Sequence, residues 1–119
     1  MALKKLTEKD VEFIIEIEMD HIEVRGNAVV SGDDEFDKKV EDEIIERLNN
    51  GDIWAWAAVT IKAQFGKFEG TDHLGCCSYE NEEDFKNDGY YEDMKQLALD
   101  DLNRELQEAY NLLKQLNNN

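Results

Sequence analysis

Residues 53–79 constrain the fold of this chain more than any other stretch. Ile53, Ala55, Ala57, Val59, Ile61, Ala63 and Phe65 fall on one side of a period-two pattern. Trp54, Trp56, Ala58, Thr60, Lys62 and Gln64 fall on the other. Alternation of this length is the mark of a β-strand, because successive side chains in a strand point to opposite faces. Gly66-Lys67 supplies a turn, and Phe68 to Tyr79 returns as a partner strand. So short a connection makes the pair an antiparallel hairpin. Gly70 and Gly75 inside the return strand mark bulges or close backbone approach. Trp54 and Trp56 read either as half-buried rings covered by a helix or as an aromatic contact surface.

A second alternating run lies nearer the start. Val11, Phe13, Ile15, Ile17 and Met19 share one face, opposite Glu12, Ile14, Glu16 and Glu18. Asp20 to Gly32 is a connection, with Gly26-Asn27 and Ser31-Gly32 as turn signals. Ser31, Asp33 or Asp34 then caps a helix carrying Phe36, Val40, Ile44 and Leu48 at intervals of four. Asn49-Asn50-Gly51 stops it. After the hairpin, Ser78 or Asn81 caps a short helix over 82–86, and Asn87-Asp88-Gly89 breaks it. A long helix follows, from about Tyr90 to Leu116. The expected order is β-α-β-β-α, a small two-layer α+β domain with an antiparallel sheet and a long C-terminal helix. One domain over 1–119 is expected, with 1–8 and 117–119 frayed.

Leu99, Leu102, Leu106, Ala109, Leu113 and Leu116 repeat at spacings of three and four along that last helix. Such a seam either docks on its own domain or pairs with a second copy. In the second case Leu99, Leu102, Leu106 and Leu113 form a homodimer interface. Leu112 widens the stripe and favours docking. Tyr79, Phe85, Tyr90 and Tyr91 surround the break between the last two helices. They read as pins holding the short helix to the sheet, or as an aromatic anchor for a partner.

Charge decides which partners are accessible. The chain has 29 acidic and 13 basic residues, a net charge of −16 over 119 residues. At 41% hydrophobic residues and with clear periodicity, it is nonetheless a folding sequence rather than an acidic disordered one. Asp33, Asp34, Glu35, Asp37, Glu41, Asp42, Glu43 and Glu46 crowd one helix, against Lys38 and Lys39. A second cluster includes Glu82, Glu83, Asp84, Glu92 and Asp93. The first holds roughly one carboxylate per 2.6 Å of helix, against one phosphate per about 1.7 Å of duplex axis. A surface of this sign repels nucleic acid and anionic membrane and attracts basic protein surfaces. The alternative is a solvated helix face that serves solubility alone.

The chemistry-bearing residues are sparse. Cys76 and Cys77 are neighbours, and on a strand they point to opposite faces, so no disulfide is expected and a reducing compartment fits. His73, Asp72 and Cys76 lack the ligand spacing of a zinc site, and His21 is distant in sequence. No nucleophile elbow, phosphate loop or third partner for His73 and Asp72 is present. The expectation is a binding protein with no cofactor, no metal and no catalytic residue. The charged start lacks the apolar run of a signal peptide, and no segment approaches the roughly 20 apolar residues of a membrane span. A soluble cytoplasmic protein is expected.

Six motifs recur as a fingerprint. They are Val24-Arg25-Gly26-Asn27-Ala28, Ser31-Gly32-Asp33-Asp34, Glu43 to Leu48, Gly51 to Trp56, Leu74 to Tyr79 and Gly89 to Met94. Across residues 20–105 the chain resembles a family of small bacteriophage and prophage proteins. The resemblance implies an origin in a phage, with the bacterial host cytoplasm as location, and carries over no catalytic residue. Small acidic phage proteins resemble anti-CRISPR and anti-restriction proteins, which occupy a nucleic-acid-binding groove. The expected partner is therefore the basic surface of a host nucleic-acid-handling protein. The expected contact residues are Asp33, Asp34, Glu35, Asp37, Glu41, Asp42, Glu46, Glu82, Glu83, Asp84, Glu92 and Asp93. Two alternatives stand beside it: an oligomeric sponge for a nucleotide signal, with Arg25 and Lys62 as its cations, and an accessory phage protein without inhibitory role.

Overall fold

The computed structural model describes residues 3–117. The elements run β1 (Glu12–Met19), α1 (Asp34–Asn49), β2 (Ala57–Phe65), β3 (Phe68–Cys77), α2 (Glu82–Lys86) and α3 (Tyr90–Asn117). Short 3-10 turns precede β1 at Glu8–Asp10 and β2 at Ile53–Ala55. The strands form one antiparallel sheet in the order β1-β2-β3. This is the expected α+β class and element order. Ala57, Val59, Ile61 and Ala63 of central β2 are all buried, so the alternation read from the sequence is the burial pattern of the strand.

The chain divides into two compact units. One comprises residues up to 16, 60–72 and from 90 onward. Its core is made by Met94, Ala98, Leu99 and Leu102 of α3, with Ile61 and Ala63 of β2. Gly70 lets β3 lie against α3: a Cβ added there would sit 2.2 Å from the Ala98 carbonyl oxygen and 2.2 Å from the Leu102 nitrogen. On β2, Lys62 bonds Glu16 of β1 at 2.9 Å and approaches Glu69 of β3 at 3.9 Å. Opposite charges on adjacent strands support the register.

The segment before β1 is held rather than frayed over its described part. The Asn103 side chain accepts from the Leu6 N–H at 2.9 Å and donates to the Leu6 carbonyl at 3.1 Å. Gln107 accepts from the Leu3 N–H at 3.1 Å. Two amides on one face of α3 thus do what a strand ladder would otherwise do for this backbone. At the other end, Asn117 is still helical. The expected fraying of residues 1–2 and 118–119 lies outside the described residues.

The burial of α3 corrects the dimer seam. Leu99 and Leu102 are 4% and 0% exposed, filled into their own unit, and so cannot face a second copy. Leu106 is half-buried, and only toward the end do Leu113 and Leu116 emerge, 58% and 70% exposed. The spacing was that of a helix docking along its first half.

The other unit comprises residues 17–59 and 73–89. Val24, Ile44, Ala55 and Trp56 form its centre, flanked by Ala28, Val40, Ile45 and Leu48. The expectation of a strand from Ile53 placed both tryptophans on one face. The 3-10 turn at Ile53–Ala55 breaks that alternation, and the rings take separate roles. Trp56 is 2% exposed, and its indole N–H donates to the Ile22 carbonyl at 2.7 Å. Trp54 packs on Phe85, ring centroids 5.7 Å apart, and meets Tyr79 edge-on at 6.4 Å. Phe85, fully buried, is the pin that holds α2, and the Tyr79 hydroxyl donates to Asp88 at 2.6 Å. Burial of a ring such as Phe85 is worth about 2–3 kcal/mol. Tyr90, by contrast, is 55% exposed, and Tyr91 lies under the Lys95 ammonium at 4.8 Å.

Candidate partner-binding surface

Charge is distributed unevenly between the two units. The unit built on α1 and α2 holds 17 acidic and 5 basic residues, a net charge of −12. The unit built on α3 holds 12 acidic and 8 basic residues, a net charge of −4. Three-quarters of the net charge is therefore carried by 60 residues.

Within the acidic unit, α1 is capped by Asp33, whose side chain accepts from the Glu35 and Phe36 N–H groups at 3.1 and 3.2 Å. Acids in the first turn and Arg47 in the last both complement the helix dipole. At 100° per residue, Glu35, Asp42, Glu43 and Glu46 lie on one side of α1, with Lys39 among them. All four acids are exposed. They span about 16 Å of helix; with Asp42 paired to Arg25, the three others give about one carboxylate per 5 Å, against a 3.4 Å phosphate repeat along a single DNA strand. At the far end of α1, the Arg47 guanidinium donates to the Tyr79 carbonyl at 2.6 Å and to Asp52 at 2.8 Å. That bond ties the last turn of α1 to the segment leading into α2, where Glu80, Glu82, Glu83 and Asp84 are exposed.

The expected contact residues separate into two groups. Several spend their charge inside the fold. Glu41 is 8% exposed; one oxygen accepts from the Gly26 N–H at 2.7 Å and the other from Arg25 at 3.4 Å. It is a structural carboxylate, which corrects its placement among the partner contacts. It stands three residues before buried Ile44 and seven before Leu48, on the packed side of α1. Asp42 bonds Arg25 at 2.6 Å. Asp37 accepts from the Ser31 hydroxyl at 2.6 Å, and Asp84 accepts from the Glu80 N–H at 3.0 Å. Glu82 pairs with Lys86 at 3.6 Å. Asp34, Glu35, Glu46 and Glu83 are exposed and make no side-chain hydrogen bond or ion pair among the described residues. Glu43, which the expected set omitted, joins them. Glu92, paired with Lys95 at 3.1 Å, and Asp93 belong to the other unit.

The cations proposed for a nucleotide sponge are already neutralised. Arg25 serves Glu41 and Asp42, and the bond to Asp42 holds its guanidinium above its ordinary value. Lys62 serves Glu16 and Glu69.

The fingerprint motifs account for the frame of this unit. Arg25 and Gly26 meet Glu41, Arg47 meets Asp52 and Tyr79, and Trp56 meets Ile22. Asp20, 6% exposed, accepts from the N–H groups of Cys76 at 2.7 Å and Ile22 at 3.0 Å. The bond from Cys76, then that from Ile22, lowers its pKa. Cys76 itself adopts φ +56°, the one positive value outside glycine among the described residues, and the Asp20 bond holds it there. Both cysteines are free thiols; Cys76 is exposed and Cys77 buried. Desolvation raises both, Cys77 to about 11. No group of three or more His, Cys, Asp or Glu side chains suited to a metal ion occurs among the described residues. No helix among them is long and apolar enough to cross a membrane.

The geometry defines a small α+β protein with one strongly acidic unit. Comparison with protein-family models, with curated proteins and with solved structures gives no match.

Proposed function

We propose that the protein is a phage-derived binding protein that inhibits a host nucleic-acid-handling defence protein in the bacterial cytoplasm. It acts by stoichiometric occlusion of a Lys/Arg-lined groove, not by catalysis. The observation that carries this reading is the net charge of −12 in one unit, with Glu35, Glu43 and Glu46 exposed along α1 and unpaired among the described residues. A row of exposed carboxylates in a strongly acidic unit is complementary to a Lys/Arg-lined groove. Complementarity of this kind accelerates encounter and makes binding salt-sensitive. The test is capture of host lysate on the tagged protein, washed at low and then high salt. A nucleic-acid-binding protein retained at low salt and released at high salt is the expected result. Absence of any selectively retained nucleic-acid-binding protein refutes the reading.

A further inference from the structure

Cationic side chains are scarce in this molecule, and five of the ten outside α1 are paired with carboxylates among the described residues. A cavity of about 360 Å³ in the α3 unit brings three of them together. Lys4, Lys5 and Arg104 line it together with Asp100, Leu3 and Leu106. Lys4 and Lys5 make no ion pair among the described residues. Arg104 shares one terminal nitrogen with Asp101, which leaves the rest of its fork of donors. The cavity walls are fixed: Asn103 and Gln107 clip the backbone of Leu3 and Leu6 to α3. They hold the lysine-bearing segment beside Arg104, in the unit with the smaller net negative charge.

We propose that this cavity binds a small phosphate monoester of nucleoside-monophosphate size. Two ammonium groups without an ion pair among the described residues, Lys4 acting only at longer range on Asp10, and a guanidinium edge suit a phosphate dianion. Leu3 and Leu106 give an apolar wall for a ring. Asp100, one of whose oxygens accepts from Gln96 at 2.8 Å, has a second oxygen for a ligand hydroxyl. Cations and a hydroxyl acceptor in one cavity suit a phosphorylated sugar bearing a base, and the volume falls in the lower range of small-ligand sites. The site is independent of the acidic surface.

The experiment is an NMR titration of the full chain with adenosine 5′-monophosphate, adenosine and inorganic phosphate in turn. The monophosphate is expected to move the amides of Arg104, Leu106 and Gln107 and to bind at least about tenfold more tightly than either fragment. The K4Q/K5Q double variant, whose changes are on exposed side chains, is expected to weaken it by about tenfold or more, with the remaining spectrum unchanged. No shift of these amides by about 10 mM monophosphate overturns the proposal. So does phosphate binding as tightly as the nucleotide, or equal binding by the double variant.

Discussion

Replacing Gly70 by alanine tests how β3 and α3 are joined. The added Cβ would lie 2.2 Å from the Ala98 carbonyl oxygen, 2.2 Å from the Leu102 nitrogen and 2.8 Å from the Leu102 Cα. All three are backbone atoms of a helix, so no rotamer change relieves them. Ordinary contact needs about 3.4 Å, and the helix must retreat by roughly 1 Å. That retreat loosens Ala98, Leu99 and Leu102, now 0–4% exposed. Overpacking costs about 1–3 kcal/mol, and the backbone contact places Gly70→Ala at about 3 kcal/mol or more. For a domain of this size that is a fall in Tm of roughly 10–15 °C. The comparison is Gly75→Ala, whose Cβ meets only the Asp20 side chain, at 3.1 Å. It should cost about 1 kcal/mol. Urea unfolding of the two variants, read by circular dichroism, decides the matter. Equal midpoints for Gly70→Ala and Gly75→Ala would refute the claimed approach.

Three further outcomes follow from the acidic unit. Glu41→Gln should lower stability by about 1–2 kcal/mol in urea unfolding, because Gly26 and Arg25 lose a charged acceptor; a neutral result would return Glu41 to the surface set. The folded pKa of Asp20 lies below its ordinary 3.8, so its contribution is present above that value and lost as pH falls through it toward the folded one. Asp20→Asn should therefore flatten the fall in stability between about pH 5 and pH 3, measured by thermal melts. Iodoacetamide at neutral pH should label Cys76 slowly and Cys77 only in denaturant, as fragmentation of the tryptic peptide that carries both will show by mass spectrometry.

The elements were legible because each has an unambiguous period or punctuation. Alternation fixed β2, the four-residue stripe fixed α1, and Asn87 to Gly89 separated α2 from α3. What escaped depended on contacts between distant segments. Nothing local marks Ile53–Ala55 as a 3-10 turn, so Trp54 and Trp56 were read as a pair on a strand. Glu41 looked like one acid among eight, although its position relative to Ile44 and Leu48 could have placed it on the buried side. Its partners, Arg25 and Gly26, lie 16 and 15 residues away. The heptad seam was a true apolar stripe, but spacing does not say which surface covers it. Gly70 was legible as a close approach; its partner was not. The Lys4 and Lys5 cavity depends on Asn103 and Gln107, about 100 residues distant, and left no local signal.

In the proposed function the acids of α1 occupy a nucleic-acid-binding groove. The most direct measurement captures host lysate on the wild-type chain and on E35K/E43K/E46K in parallel, then elutes each with duplex DNA. These three acids have no side-chain partner among the described residues, and far-UV circular dichroism checks that the variant is folded. The expected result is a nucleic-acid-binding protein held by the wild type, displaced by DNA and absent from the variant. The same protein held equally by both, or resistant to DNA, would contradict it.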